Sequence, residues 1–183
     1  MNVKGENITK AFIFIQKFYS EVAQLFTKVD DLMEKERWDS AKGNTTTSEV
    51  SKDLLKPTQW LPSRSFRLYK NEKFPNVRIG LIVCYGHENI EEPLLIIGKI
   101  DYKDIQDAEY WDMWNLWFND KQQKTLNEDN FSFDPDDEDL SKKLGGKCWI
   151  HAMNLVEINS EEDIKNKIFD KIINQGFADL ITE

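Results

Sequence analysis

The chain has 183 residues, 40% apolar and 31% charged, the balance of one soluble folded domain whose core needs no staples. Its net charge of −9 argues against non-specific binding to DNA or to an anionic membrane. Only four of its 24 basic residues are arginine (Arg37, Arg64, Arg67, Arg78), which further disfavours readout of phosphate or guanine.

Two cysteines (Cys84, Cys148) and two histidines (His87, His151), with no Cys-x-x-Cys pair, do not make a zinc site, and no metal or other cofactor is expected. The N-terminus has no apolar signal core and no run is long enough for a membrane span. The expectation is a cytoplasmic chain forming a single domain over 1–183.

Residues 8–38 read as one long amphipathic helix. Ile8, Ile15, Val22 and Val29 recur every seven residues, as do Ala11, Phe18, Leu25 and Leu32, with Phe12, Tyr19, Phe26 and Met33 beside them. Asn7 is placed to cap it. Such a helix is about 45 Å long, more than most domains of this size are wide. It must bend over the sheet, or project at one end and meet a partner. The partner expected there is another protein or a second copy of the chain.

Residues 39–52 are polar and read as a mobile loop. Pro57, Trp60, Leu61 and Pro62 suggest a short apolar segment tucked against the core. Ser65–Lys70 alternates and reads as the first strand. The central hairpin follows, Val77–Gly86 and Pro93–Tyr102 joined by His87–Glu92. Pairing Gly86 with Pro93 sets Val83 against Ile96 and Ile79 against Ile100, and brings Arg78 opposite Asp101 as an ion pair.

Residues 104–118 read as a helix, with Tyr110, Met113, Trp114 and Trp117 on one face and Trp111 and Phe118 flanking it. That face closes one side of the sheet, or else Trp111, Trp114 and Phe118 form a partner-binding surface. Residues 119–146 read as a second mobile loop, with seven acids and no base between Glu128 and Asp139. The Asp134–Asp139 cluster fails the calcium-loop template, because Gly145 stands where the twelfth-position Glu belongs. Lys147–Glu157 reads as the last strand, with Cys148 and His151 on opposite faces. Ser160 and Asp163 resemble a capping box opening a final helix, Glu161–Gln175, ended by Gly176.

The order α-β-β-β-α-β-α predicts an α+β domain around a mixed or antiparallel sheet of about four strands. No glycine-rich phosphate loop and no nucleophile elbow is present. The expected role is therefore a non-catalytic protein-interaction or regulatory module. A basic, aromatic stretch from Arg64 to Arg78 carries three of the four arginines, suited to an anion or to the chain's own acidic loop.

One constellation points elsewhere. Asp101-Tyr102-Lys103 has the acid-x-Lys form at the end of the third strand, Pro75-Asn76 opens the second, and Glu21 lies on the first helix. In element order and in these residues the chain is similar to the core of the PD-(D/E)XK nuclease superfamily. The resemblance implies a Mg²⁺-dependent nuclease-like domain, with Asp101, Asn76 and Glu21 as ligands and Lys103 orienting the attacking water. Asn76 replaces the family's acid, which implies an inactive derivative as readily as an enzyme. The plainer account of Asp101 is the pair with Arg78.

Overall fold

The computed structural model describes residues 5–47, 50–57, 60–86, 90–119, 125–131 and 138–178. The fold is α+β. A long helix α1 (Gly5–Lys35) is followed by six antiparallel strands: β1 (Asp39–Ser40), β2 (Arg64–Asn71), β3 (Phe74–Cys84), β4 (Leu94–Tyr102), β5 (Asp129–Asn130) and β6 (Leu144–Asn154). They lie side by side in the order β1-β2-β3-β4-β6-β5. Four were expected. The extra two, β1 and β5, are two-residue edge strands too short to show any alternation.

Helices cover both faces of the sheet. On the first face, Ile79, Leu81, Val83, Leu95, Ile97 and Trp149 meet Val29 and Met33 of α1. They also meet Ile164, Ile168 and Ile172 of the C-terminal helical run. That run comprises α4 (Glu161–Asp163), a π-helical turn (Ile164–Phe169) and α5 (Asp170–Ala178). On the second face, Phe66, Ile82, Leu94, Ile96 and Ile150 meet Met113 and Leu116 of α2 (Asp112–Phe118) and Leu140 of α3 (Glu138–Lys143).

This double burial explains a correction. The register of β3 on β4 pairs Val83 with Leu95, Gly80 with Gly98 and Val77 with Asp101, one residue away from the pairing read from the sequence. Alternation fixes register only where one face is wet. Here Leu81–Cys84 and Leu94–Ile97 are apolar at every position, so neither slip exposes an apolar set. The Arg78–Asp101 pair does not form across the strands, because Arg78 stands opposite Ile100.

The sheet is thinnest where Gly80 and Gly98 face each other. A Cβ on Gly80 would come within 2.5 Å of the Met113 Cε, and one on Gly98 within 2.5 Å of the Trp149 carbonyl oxygen. Glycine at both positions lets Met113 and β6 approach closely.

Smaller differences have local causes. Helix α1 begins at Gly5, so Asn7 is inside it, and it ends where Arg37 turns to φ 63°. The predicted helix at 104–118 is a 3₁₀ turn (Ile105–Asp107) and then α2, beginning at Asp112. The loop expected at 119–146 holds β5 and α3, and that at 39–52 begins with β1. The Asp134–Asp137 part of the acidic cluster and His87 lie outside the described residues. The final helix runs through Gly176 to Ala178. Its start is as expected: Ser160 Oγ accepts from the Asp163 N–H at 3.0 Å, and Asp163 accepts from the Asn159 N–H at 3.1 Å. Lys167 Nζ at 2.8 Å, then the Ser160 hydroxyl at 2.9 Å and the Asn159 N–H, hold the Asp163 carboxyl down at about 2.

Candidate functional site

The polar end of the hairpin carries the residues of the nuclease resemblance. Asn76 is exposed at the start of β3 and shares the face of Arg78, while Asp101 pairs with Val77 and shares the opposite face. Neighbours in the ladder, they point apart. Asp101 sits at an irregularity of the β4–β6 pairing, against Gly145, where an added Cβ would be 3.1 Å from its Oδ2. Lys103 is exposed, and its backbone N–H bonds to the Lys143 carbonyl.

Glu21 is elsewhere. Helix α1 runs antiparallel to β3, with Phe18 and Tyr19 beside Tyr85 and Trp38 stacked on Phe74. Val77 and Cys84 are seven residues apart, on the order of 23 Å. Glu21 is at the Cys84 end, in an open groove of about 310 Å³ shared with Leu25, Lys28, Ser160 and Glu161. The four residues do not converge and do not fit one divalent-cation site. Among the described residues, no three His, Cys, Asp or Glu side chains are grouped to hold a metal.

The structure instead gathers charge around three aspartates, each tying a helix or an edge strand to the sheet. Asp30 of α1 receives Arg67 Nη2 at 2.6 Å, Arg67 Nε at 3.0 Å and the Tyr69 hydroxyl at 2.8 Å. Asp112 of α2 is buried and accepts from the Tyr102 hydroxyl at 3.0 Å and the Glu109 N–H at 2.8 Å. Lys143 Nζ is 3.6 Å from it. Burial raises the Asp112 pKa despite these donors. Asp129 of β5 accepts from Trp149 Nε1 at 3.1 Å, lies 3.0 Å from His151 Nδ1, and pairs with Lys171 of α5 at 3.3 Å.

His151 is buried, and burial first, then Lys171, lower its pKa. Cys148 lies on the other face, where burial pushes its thiol up to about 12. These groups are spent on packing and on each other. The basic stretch is similarly engaged: Arg67 clamps Asp30, Arg64 lies 4.4 Å over the Trp114 ring, and Arg78 Nη1 donates to the Val77 and Pro75 carbonyls.

The aromatic residues of α2 form a partly covered layer. Trp111, Trp114 and Phe118 are each half-buried, and the Trp114 and Phe118 rings are 4.1 Å apart. Tyr110 stacks on Phe66 at 4.2 Å.

Among the described residues, a more exposed apolar surface lies elsewhere. Every residue of α1 from Gly5 to Phe14 is exposed, and burial begins only at Val22. Ile8 is 42% exposed, Phe12 57% and Phe14 69%. The described part of the segment expected to tuck against the core is bare too, with Leu54 79% and Leu55 86% exposed. The Tyr19 hydroxyl donates to the Pro62 carbonyl, which sets exposed Trp60 and Leu61 close to α1. The length of α1 was the sequence signal for a projecting arm, whereas nothing in the spacing of residues 53–64 announced a bare patch. Comparison with known proteins finds no matching family model, no matching curated protein and no matching solved structure.

Proposed function

We propose that the chain is a non-catalytic protein-interaction module whose docking element is the projecting arm of α1, residues 5–17. One observation carries this reading. The apolar stripe that seats α1 on the sheet continues without interruption into a stretch that the sheet does not reach. Contiguous apolar surface of this kind marks an interaction site. Among the described residues, the partly exposed Asp30 and Asp129 and the buried Asp112 and His151 are engaged in holding helices and an edge strand to the sheet. The half-buried Trp111, Trp114 and Phe118 are a smaller candidate surface, in which Trp114 already meets Phe118 and Arg64, and Trp111 meets Tyr110.

The test uses two differently tagged copies in one cell extract, comparing the unaltered chain with Phe12→Glu. The exposed site makes the thermal midpoint the same for both. The unaltered chain is expected to retain a protein, its own second copy included, that Phe12→Glu loses. Retention equal in the two, or absent in both, overturns the reading.

A further inference from the structure

We infer, resting on the reading of the arm as a docking element, that its occupant is the arm of a second copy, antiparallel, about a two-fold axis between Ala11 and Phe12. At 100° per residue, Ile8, Ala11 and Ile15 continue the line of Val22, Val29 and Met33, with Phe12 and Phe14 at its borders. The charged residues of the arm, Glu6, Lys10 and Lys17, lie on the far side of the helix, and Glu6 pairs with Lys10 at 2.5 Å. The contact face is therefore uncharged. Two copies of a chain of net charge −9 meet there without opposing like charges.

A two-fold contact must be complementary to itself. With the axis between Ala11 and Phe12, Ile8 meets the other copy's Ile15, and small Ala11 meets large Phe12, as knob and hole. Gly5 then reaches the other copy's Phe18, where that copy's own cover begins at Tyr85.

Phe12 and Phe14 each leave roughly 120–150 Å² in water, and with Ile8, Ala11 and Ile15 each copy offers about 400 Å². Trp60 and Leu61, 49% and 47% exposed, extend the surface at the arm's base. The whole pair then buries about 1,000 Å², the low end for a specific interface. The dimer is accordingly reversible, forming at micromolar rather than nanomolar concentration.

Sedimentation equilibrium of the full chain, from low micromolar to submillimolar concentration, is expected to rise from one chain mass to two, and Phe12→Glu to stay at one. On mild oxidation, Ala11→Cys is expected to form a covalent dimer at least about tenfold faster than Ile13→Cys, which faces the opposite way. Cys84 and Cys148 are buried and do not compete. A single chain mass at every concentration, or equal crosslinking at the two positions, overturns the inference. If the chain stays single while a different protein is retained through Phe12, the arm still docks but its occupant is not a second copy. If nothing is retained, both readings fall.

Discussion

The two halves of α1 carry one pattern and meet two fates. Val22, Leu25, Phe26, Val29 and Met33 are buried on the sheet, whereas Ile8, Ala11 and Phe12, at the same heptad positions, are in water. Geometry separates them. At 31 residues α1 is about 46 Å long, and the 11 residues of β3 span about 36 Å. An apolar stripe states that a helix face has to be covered. How far the cover extends depends on the strands beneath.

The largest test of that contrast is a pair of truncations. Met33→Ala is expected to cost about 2–5 kcal/mol of unfolding free energy, since Met33 is fully buried. Phe12→Ala, measured by denaturant titration in dilute solution, should stay within ~0.5 kcal/mol. A comparable loss at Phe12 would mean that the arm packs on the body, and the contrast would fail.

Next is the clamp that seats the covered half. Arg67→Ala leaves a partly solvated Asp30 with only the Tyr69 hydroxyl and the Gly43 carbonyl with only the Ser40 hydroxyl, a loss of about 1–3 kcal/mol. Arg67→Lys should recover only part of it, because an ammonium cannot engage both carboxylate oxygens as the fork does. Full recovery would show that charge alone seats the helix.

The smallest expected effect is a pH slope. His151, under α5, has a folded pKa below its ordinary value, chiefly through burial. As pH falls through about 6.5 the unfolded chain takes up that proton first, so stability declines from there down to the folded pKa. His151→Gln should flatten the change in thermal midpoint between neutral and mildly acidic solution. Asp163 acts lower, its contribution full above about 4 and lost as pH falls toward 2. An unchanged slope in His151→Gln would leave the α5 side of the layer without a titrating anchor.

The sequence made some of this legible. Period-seven repeats gave α1, and alternation in Cys148–Met153 gave β6 with Trp149 and His151 on one face and Cys148 on the other. The hairpin was found, yet its register was not, because both faces are apolar between Leu81 and Cys84. The nuclease-type residues lost their common face for the same reason. The one-residue change that moved Asp101 opposite Val77 turned it away from Asn76. Edge strands β1 and β5 carry Asp, Ser and Asn, whose spacing says nothing, and they exist because β2 and β6 offer them backbone partners. The Asp129 anchor was hidden for that reason: it is one acid in an acidic stretch until β5 sets it beside His151.

The order of synthesis gives the long helix a further consequence. The α1 sequence ends at Lys35, while the sheet that covers it is complete only at Asn154, about 120 residues later. At cellular elongation rates that interval is roughly 6–24 s, during which the whole stripe has no sheet to lie on. Met33 and Phe12 are alike in that window, and either can be reached by a neighbouring nascent chain. Folding then withdraws Val22 to Met33 and leaves Ile8 to Phe14 in the water where both halves began.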